Sequence, residues 1–173
     1  MFGSKLLNHK LILAVDDEED VLAIIQEELS ESADVKLHLA ATFETAQHYL
    51  QSHQYDLVIL DIMGVRGFDL LKIATEAQFP TVMLTAHAFT PEALKQSIES
   101  GARAFLPKEQ LGDLVPFLED VLNCSCTAGS KKALDKVDRY FQRKIGSDWR
   151  KSEQEFWDDF EKKMTIEYPA IIG

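Results

Sequence analysis

The sequence predicts an α/β fold. Five short apolar runs alternate with helical stretches, and residues with evident chemistry follow four of the runs directly. Leu11–Val15 leads into Asp16 and Asp17, Leu57–Leu60 into Asp61, Val82–Leu84 into Thr85, and Ala104–Leu106 through Pro107 into Lys108. Continuous apolar runs of this length mark strands covered on both faces, as in parallel sheets. Alternation of strands with helices requires crossovers, giving one five-stranded parallel, doubly wound sheet. The carboxyl ends of such strands line one edge, where ligands bind. Three carboxylates, a hydroxyl and an ammonium therefore converge on one small site. Hard oxygen ligands beside a cationic side chain suit a divalent cation and a phosphoryl group.

Each element has its own local signal. After the first strand, Asp20–Ser32 carries Val21, Leu22, Ile24, Ile25 and Leu29 as a helical stripe. Val35–Ala40 alternates Val35, Leu37 and Leu39, as a strand with one less buried face does. Thr42 caps a helix running through Leu50, with Phe43, Ala46 and Leu50 on one side. Leu57–Leu60 is the third strand, Phe68–Ala77 a helix and Thr81–Leu84 the fourth strand. Thr90-Pro91 opens a helix that Gly101 closes after Ser100. Ala102–Leu106 is the fifth strand, and a helix follows from about Gln110 to Leu122. Pro116 conflicts with that last helix unless the helix starts near Gly112-Asp113 and takes the proline into its first turn.

Charge divides the chain. Residues 1–128 hold 8 Lys/Arg against 20 Asp/Glu, and residues 129–173 hold 10 against 9. The acidic part is a poor partner for nucleic acid. Cys124 and Cys126 have no further ligands to complete a metal site. The short apolar run at the amino terminus is broken at once by acids, unlike a signal peptide, and nothing reaches the roughly 20 apolar residues a membrane span needs. A cytoplasmic protein is expected.

Taken in order, Asp16-Asp17, Asp61, Thr85-Ala86 and Pro107-Lys108 resemble the site of the receiver domain of two-component response regulators, over about residues 8–124. The resemblance implies a flavodoxin-like sheet of order 2-1-3-4-5 and a phosphorelay protein that takes a phosphoryl group from a histidine kinase or phosphotransfer protein onto Asp61. It implies Mg²⁺ held by Asp17, Asp61 and the Met63 carbonyl, with Asp16 acting through water. Lys108 and Thr85 would serve the phosphoryl group as catalytic and binding partners of Asp61. Thr85 and Phe105 would form the switch, Phe105 by packing alone because it lacks a hydroxyl. The chain departs from the family twice. The loop Asp61-Ile62-Met63-Gly64-Val65-Arg66-Gly67 is short and lacks proline, and Lys108 is followed by Glu109 where many relatives carry proline. His87 falls near the mouth of the site and reads as a surface residue.

The expected organisation is a receiver domain over residues 1–126, a linker over 127–130 and a helical extension over 131–173, folded as a hairpin about Gly146-Ser147. Leu134, Val137, Phe141 and Ile145 form one apolar stripe. Trp149, Phe156, Phe160 and Met164 form a second, with Trp157 beside it. Such stripes need burial, which makes a homodimer or a protein partner the first expectation. DNA binding through Lys131, Lys132, Lys136, Arg139, Arg143 and Lys144 is a weaker alternative, because Asp135 and Asp138 interrupt the patch. A phosphorylation-independent interaction module is another alternative, but it has no use for mutually repelling carboxylates. An aspartate-based phosphatase needs a second acid two residues after its nucleophile, where this chain has Met63. The chain therefore reads as a signalling protein, not an enzyme.

Overall fold

A computed structural model of the chain describes residues 6–86, 90–123, 138–139, 141–143 and 145–159. Five strands, β1 Leu11–Val15, β2 Lys36–Ala40, β3 Leu57–Asp61, β4 Thr81–Thr85 and β5 Ala104–Pro107, form one parallel sheet in the order β2-β1-β3-β4-β5. Helices α1 Glu19–Ser32, α2 Phe43–Ser52, α3 Gly67–Glu76 and α4 Pro91–Glu99 make the crossovers, and α5 Leu114–Asn123 follows β5. The doubly wound sheet and its order are as the sequence and the resemblance imply.

Every residue of β3 and β4 is buried, as central strands with helices on both sides require. Side chains alternate between two cores. Ile12, Ala14, Leu57, Ile59, Val82, Leu84 and Leu106 cluster with the apolar stripes of α1 and α5. Leu13, Val15, Val58, Leu60, Met83 and Phe105 cluster with Ala46 and Leu50 of α2, Leu70 and Leu71 of α3, and Leu94 of α4. Thr42 and Thr90 cap α2 and α4, accepting the amides of Thr45 and Ala93 at 3.3 and 3.2 Å.

Two boundaries differ from expectation for physical reasons. The strand expected from Ala102 begins at Ala104, because the Ala102 amide still closes α4 through the Ser97 carbonyl at 2.9 Å. The last helix does not start near Gln110. A 3₁₀ stretch, Lys108–Asp113, precedes it, and α5 begins at Leu114. Pro116 thus lies in the first turn, where its missing N–H has no intrahelical partner to lose.

On β2, His38 joins a ring cluster with α2 and the approach to β3. Its Nδ1 lies 2.7 Å from the Tyr55 hydroxyl, and its ring stacks on Tyr49 at 5.0 Å and meets His53 edge-on at 4.8 Å. Burial, then the neighbouring His53, holds His38 below the usual histidine range. The folded state therefore prefers the neutral ring, and its stability is full above the unfolded pKa of 6.5 and falls as pH drops through it. Lowering pH from 7.5 to 5.5 should reduce the urea midpoint less in His38→Gln than in the native chain. Equal losses in both would remove His38 as the cause.

The C-terminal residues join the α2–α4 core. Phe141, Trp149 and Trp157 are 0%, 5% and 1% exposed and belong to the same buried cluster as Met83, Leu94 and Phe105. Residues 138–139 and 141–143 are helical, Gly146 at φ 118° turns the chain, and a 3₁₀ turn, Lys151–Glu153, leads into a helix over 154–159. The expected stripes are redistributed by that turn. Ile145, placed beside Phe141 by helical periodicity, is 57% exposed because its helix is ending there. Trp149 precedes the second helix, and Trp157 is the residue most fully buried in it. Leu134, Val137, Phe160, Met164, the two cysteines, His87, the 127–130 linker and most of the basic patch lie outside the described residues.

Asp138 ties the first C-terminal helical segment to the turn that precedes the second helix. Its Oδ1 accepts the Trp149 indole N–H at 2.9 Å and lies 3.0 Å from the Arg150 guanidinium, which sits over the rings of Trp149 and Trp157. Asp138→Ala removes the acceptor from a buried indole N–H, a loss of about 1–3 kcal/mol. Tryptophan emission should then report unfolding at lower urea than in the native chain. An unchanged midpoint would show that the rings hold without Asp138.

Candidate functional site

The expected residues meet at the carboxyl edge of the sheet. Asp16 directly follows β1 and is fully buried, with its backbone N–H on the Ala40 carbonyl at 3.1 Å. Asp61 ends β3 at 2% exposure, and Thr85 ends β4 at 4%. Thr85 pairs in register with Pro107, which delivers Lys108 to the same edge. Lys108 Nζ lies 2.8 Å from Asp16 Oδ2, 3.0 Å from Glu18 Oε1 and 3.4 Å from Asp61 Oδ1, with its side chain only 13% exposed. Phe105, one strand turn back on the opposite core from Leu106, is 1% exposed and pairs in register with Met83.

Charge and burial compete here. Burial pushes the Asp16 carboxyl above the usual range, against the pull of Lys108 and the Glu18 amide. Burial likewise raises Asp61, opposed by Lys108 and the Met63 amide and reinforced by the negative charge of Asp17. For Lys108, burial lowers the pKa, but Asp16, Glu18 and Asp61 together outweigh it and leave the ammonium held firmly charged. One ammonium cannot neutralise this many carboxylates, so the edge retains an uncompensated negative charge.

The short loop after Asp61 closes tightly over that nucleus. The amides of Met63 and Gly64 donate to Asp61 Oδ1 and Oδ2 at 3.3 and 3.0 Å. Gly64 presses against both carboxylates, and a Cβ at this position would overlap Asp17 Oδ1 and Asp61 Oδ2. At Gly67 a Cβ would strike the carbonyls of Asp61 and Ile62. The two glycines therefore let a loop without proline pack this close. Arg66, at φ 54°, anchors the far side by stacking its guanidinium 4.1 Å over Phe43 and pairing with Asp69 at 2.9 Å.

The donor set fits a hard cation. Asp16, Asp17 and Glu18 each offer an oxygen within 4.8 Å of the others, and Asp16 Oδ2, though buried beside Lys108, accepts no well-aligned hydrogen bond. Glycine at position 64 lets the backbone approach Asp17 and Asp61 without covering their oxygens with a side chain. Glu18 is the residue that sequence reasoning missed. It reads as one more acid in the run Asp16-Asp17-Glu18-Glu19-Asp20, whereas its carboxylate reaches Lys108 across the sheet edge.

Comparison with known proteins agrees with this fold. Residues 12–118 match the response regulator receiver domain. The chain is similar to response regulator Rre1 of Synechocystis sp., 39% identical over 132 residues that cover 70% of this chain and 57% of that protein. It is 30% identical over 123 residues to sensory/regulatory protein RpfC of Xanthomonas campestris, covering 64% of this chain and 17% of that protein. Among solved structures, the CheY-like receiver of Methanospirillum hungatei superposes with a TM-score of 0.61 at 25% identity, over 66% of this chain and 94% of that one. The NtrX receiver domain of Brucella abortus gives 0.58 at 29% identity, over 66% and 99%. The chain belongs to the response regulator receiver domain family of two-component signalling. It spans little more than half of the Synechocystis relative and a small part of the Xanthomonas one.

Proposed function

We propose that this chain is a phospho-accepting response regulator in which Asp61 receives a phosphoryl group from a histidine kinase or phosphotransfer protein. The observation that carries this reading is the Lys108 ammonium, its side chain 13% exposed, set 2.8 Å from Asp16 and 3.4 Å from Asp61 at the edge where Thr85 also ends. An Asp61 oxygen attacks phosphorus as the bond to the donor breaks, leaving an acyl phosphate. Lys108 faces the charge that gathers on the phosphoryl oxygens, and positioning supplies most of the acceleration. Thr85 offers its hydroxyl to the new group, and buried Phe105 responds through packing. Asp17, Asp61 and the Met63 carbonyl hold Mg²⁺ in this reading, with Asp16 acting through water. Bound there, the ion neutralises phosphoryl oxygens and orients them.

In this reading the protein is a cytoplasmic signalling component and not an enzyme acting on a separate substrate. Residues 1–126 are the receiver, 127–130 a linker and 131–173 the extension. The burial of Phe141, Trp149 and Trp157 against their own α/β core favours intramolecular docking of the extension over a homodimer contact. DNA is not a partner in this reading, since Asp135 and Asp138 interrupt the basic patch and the sheet domain is acidic.

Acetyl phosphate with Mg²⁺ should produce an acid-labile adduct on the intact chain. Asp17→Ala should abolish its Mg²⁺ dependence and weaken Mg²⁺ binding, read independently by titration calorimetry. Equal Mg²⁺ affinity in the two proteins would contradict the ligand set.

A further inference from the structure

Lys95, midway along α4, makes a bond to the C-terminal segment that packing of the rings alone does not require. Its ammonium lies 2.8 Å from Glu153 Oε2 and 5.1 Å from the centroid of the Phe156 ring, while its own-helix neighbour Glu99 stands at 3.9 Å. Glu153 and Phe156 are three residues apart, the spacing that brings two side chains to one helix face. Around this point Ala93, Ile98, Ala102 and Phe156 are partly buried against the core that also contains Phe105 and Trp157. The segment is acidic, with Glu153, Glu155, Asp158 and Asp159 and no basic residue between 152 and 159. Its partner on α4 is a cation. Both members of the ion pair remain partly exposed, at 26% and 40% of their side chains. Pairs of that kind contribute little and exchange readily.

We infer that the Lys95 face of α4 is a docking surface for a short acidic helix bearing an aromatic ring three residues after an acid, with residues 153–157 as its resident occupant. A protein partner of that chemistry reaches α4 only by displacing them. The surface lies over the core that holds Phe105, so its occupancy is placed to feel that residue's packing. The docking does not depend on phosphoryl chemistry, and its test stands apart from that of Asp61.

The test uses the intact chain. Lys95→Glu and Glu153→Lys each set like charges together, and the double swap restores opposite ones. Amide hydrogen exchange over residues 154–159 should quicken roughly two- to five-fold in each single variant, the range open to a partly exposed pair. It should return towards the native rate in the double swap. Unchanged rates in the singles, or a double variant as fast as they are, would overturn the docking. In a second arm, ¹⁵N-labelled Glu153→Lys chain is titrated with a synthetic peptide of residues 147–159. Shift changes should appear over Ala93–Ala102 and in the displaced residues 153–159, and binding should weaken about two- to five-fold in the Lys95→Glu chain. No perturbation at millimolar peptide would show that α4 accepts no such helix and would overturn the inference.

Discussion

Asp61→Asn should form no acid-labile adduct with acetyl phosphate and Mg²⁺ while keeping the native fold. The side chain keeps its size, and one oxygen still accepts a backbone amide. The amide nitrogen, however, faces donors in either orientation: Met63 N–H and Lys108 if it replaces Oδ1, Gly64 N–H if it replaces Oδ2. Those poor contacts and the lost attraction to Lys108 are offset chiefly because no charge is buried at this position any longer, with relief of the repulsion from Asp17 adding to it, so the urea midpoint should move little. Intact mass after donor treatment, before and after mild hydroxylamine, reads the outcome directly. An adduct of undiminished yield in Asp61→Asn would move the acceptor elsewhere, and no other carboxylate at the edge is both buried and in reach of Lys108 except Asp16. The paired variant Asp16→Asn then decides between them.

That these residues could be found from sequence follows from how parallel strands are built. A strand buried on both faces reads as an unbroken apolar run, and the first polar residue after it falls at the ligand edge. Asp16, Asp61, Thr85 and Lys108 all follow that rule, and the structure brings them to one place. Glu18 does not follow it, because nothing in a run of acids says which one turns back toward a lysine ninety positions later in the chain. The C-terminal rings show another limit. Helical periodicity placed Ile145 with Phe141, but periodicity does not say where a helix ends, and Ile145 already lies in the turn before Gly146. Which of Trp149, Phe156 and Trp157 lies deepest depends on the surface of α3 and α4, which is a matter of tertiary packing and not of local pattern. The close approach of Gly64 to two carboxylates is equally invisible in one dimension. A glycine in a short loop signals a turn, and only the folded chain shows what a side chain there would strike.

Gly64→Ala should therefore damage the loop and the site together. A Cβ at this position overlaps Asp17 Oδ1 and Asp61 Oδ2, the oxygens of two different strand ends. The two neighbours differ in their freedom to yield. Asp61 is 2% exposed and fixed by two backbone amides, one of them the N–H of Gly64 itself. Asp17 is exposed and can rotate away, but doing so withdraws it from the site. Relaxation thus leaves two routes: the loop lifts and the amide bonds to Asp61 lengthen, or Asp17 swings out and the cation loses a carboxylate. Overpacking of this kind costs about 1–3 kcal/mol, and disturbing groups that orient metal ligands typically lowers metal affinity by about 10- to 100-fold. The two routes separate experimentally. Lifting of the loop predicts lower stability in urea with or without Mg²⁺, together with slower adduct formation at saturating Mg²⁺. Displacement of Asp17 predicts near-native stability, with the lost rate recovered as Mg²⁺ is raised. Native stability combined with native Mg²⁺ affinity would mean that the loop does not pack on the carboxylates in solution, and the argument that glycine replaces the usual proline-containing loop would fall with it.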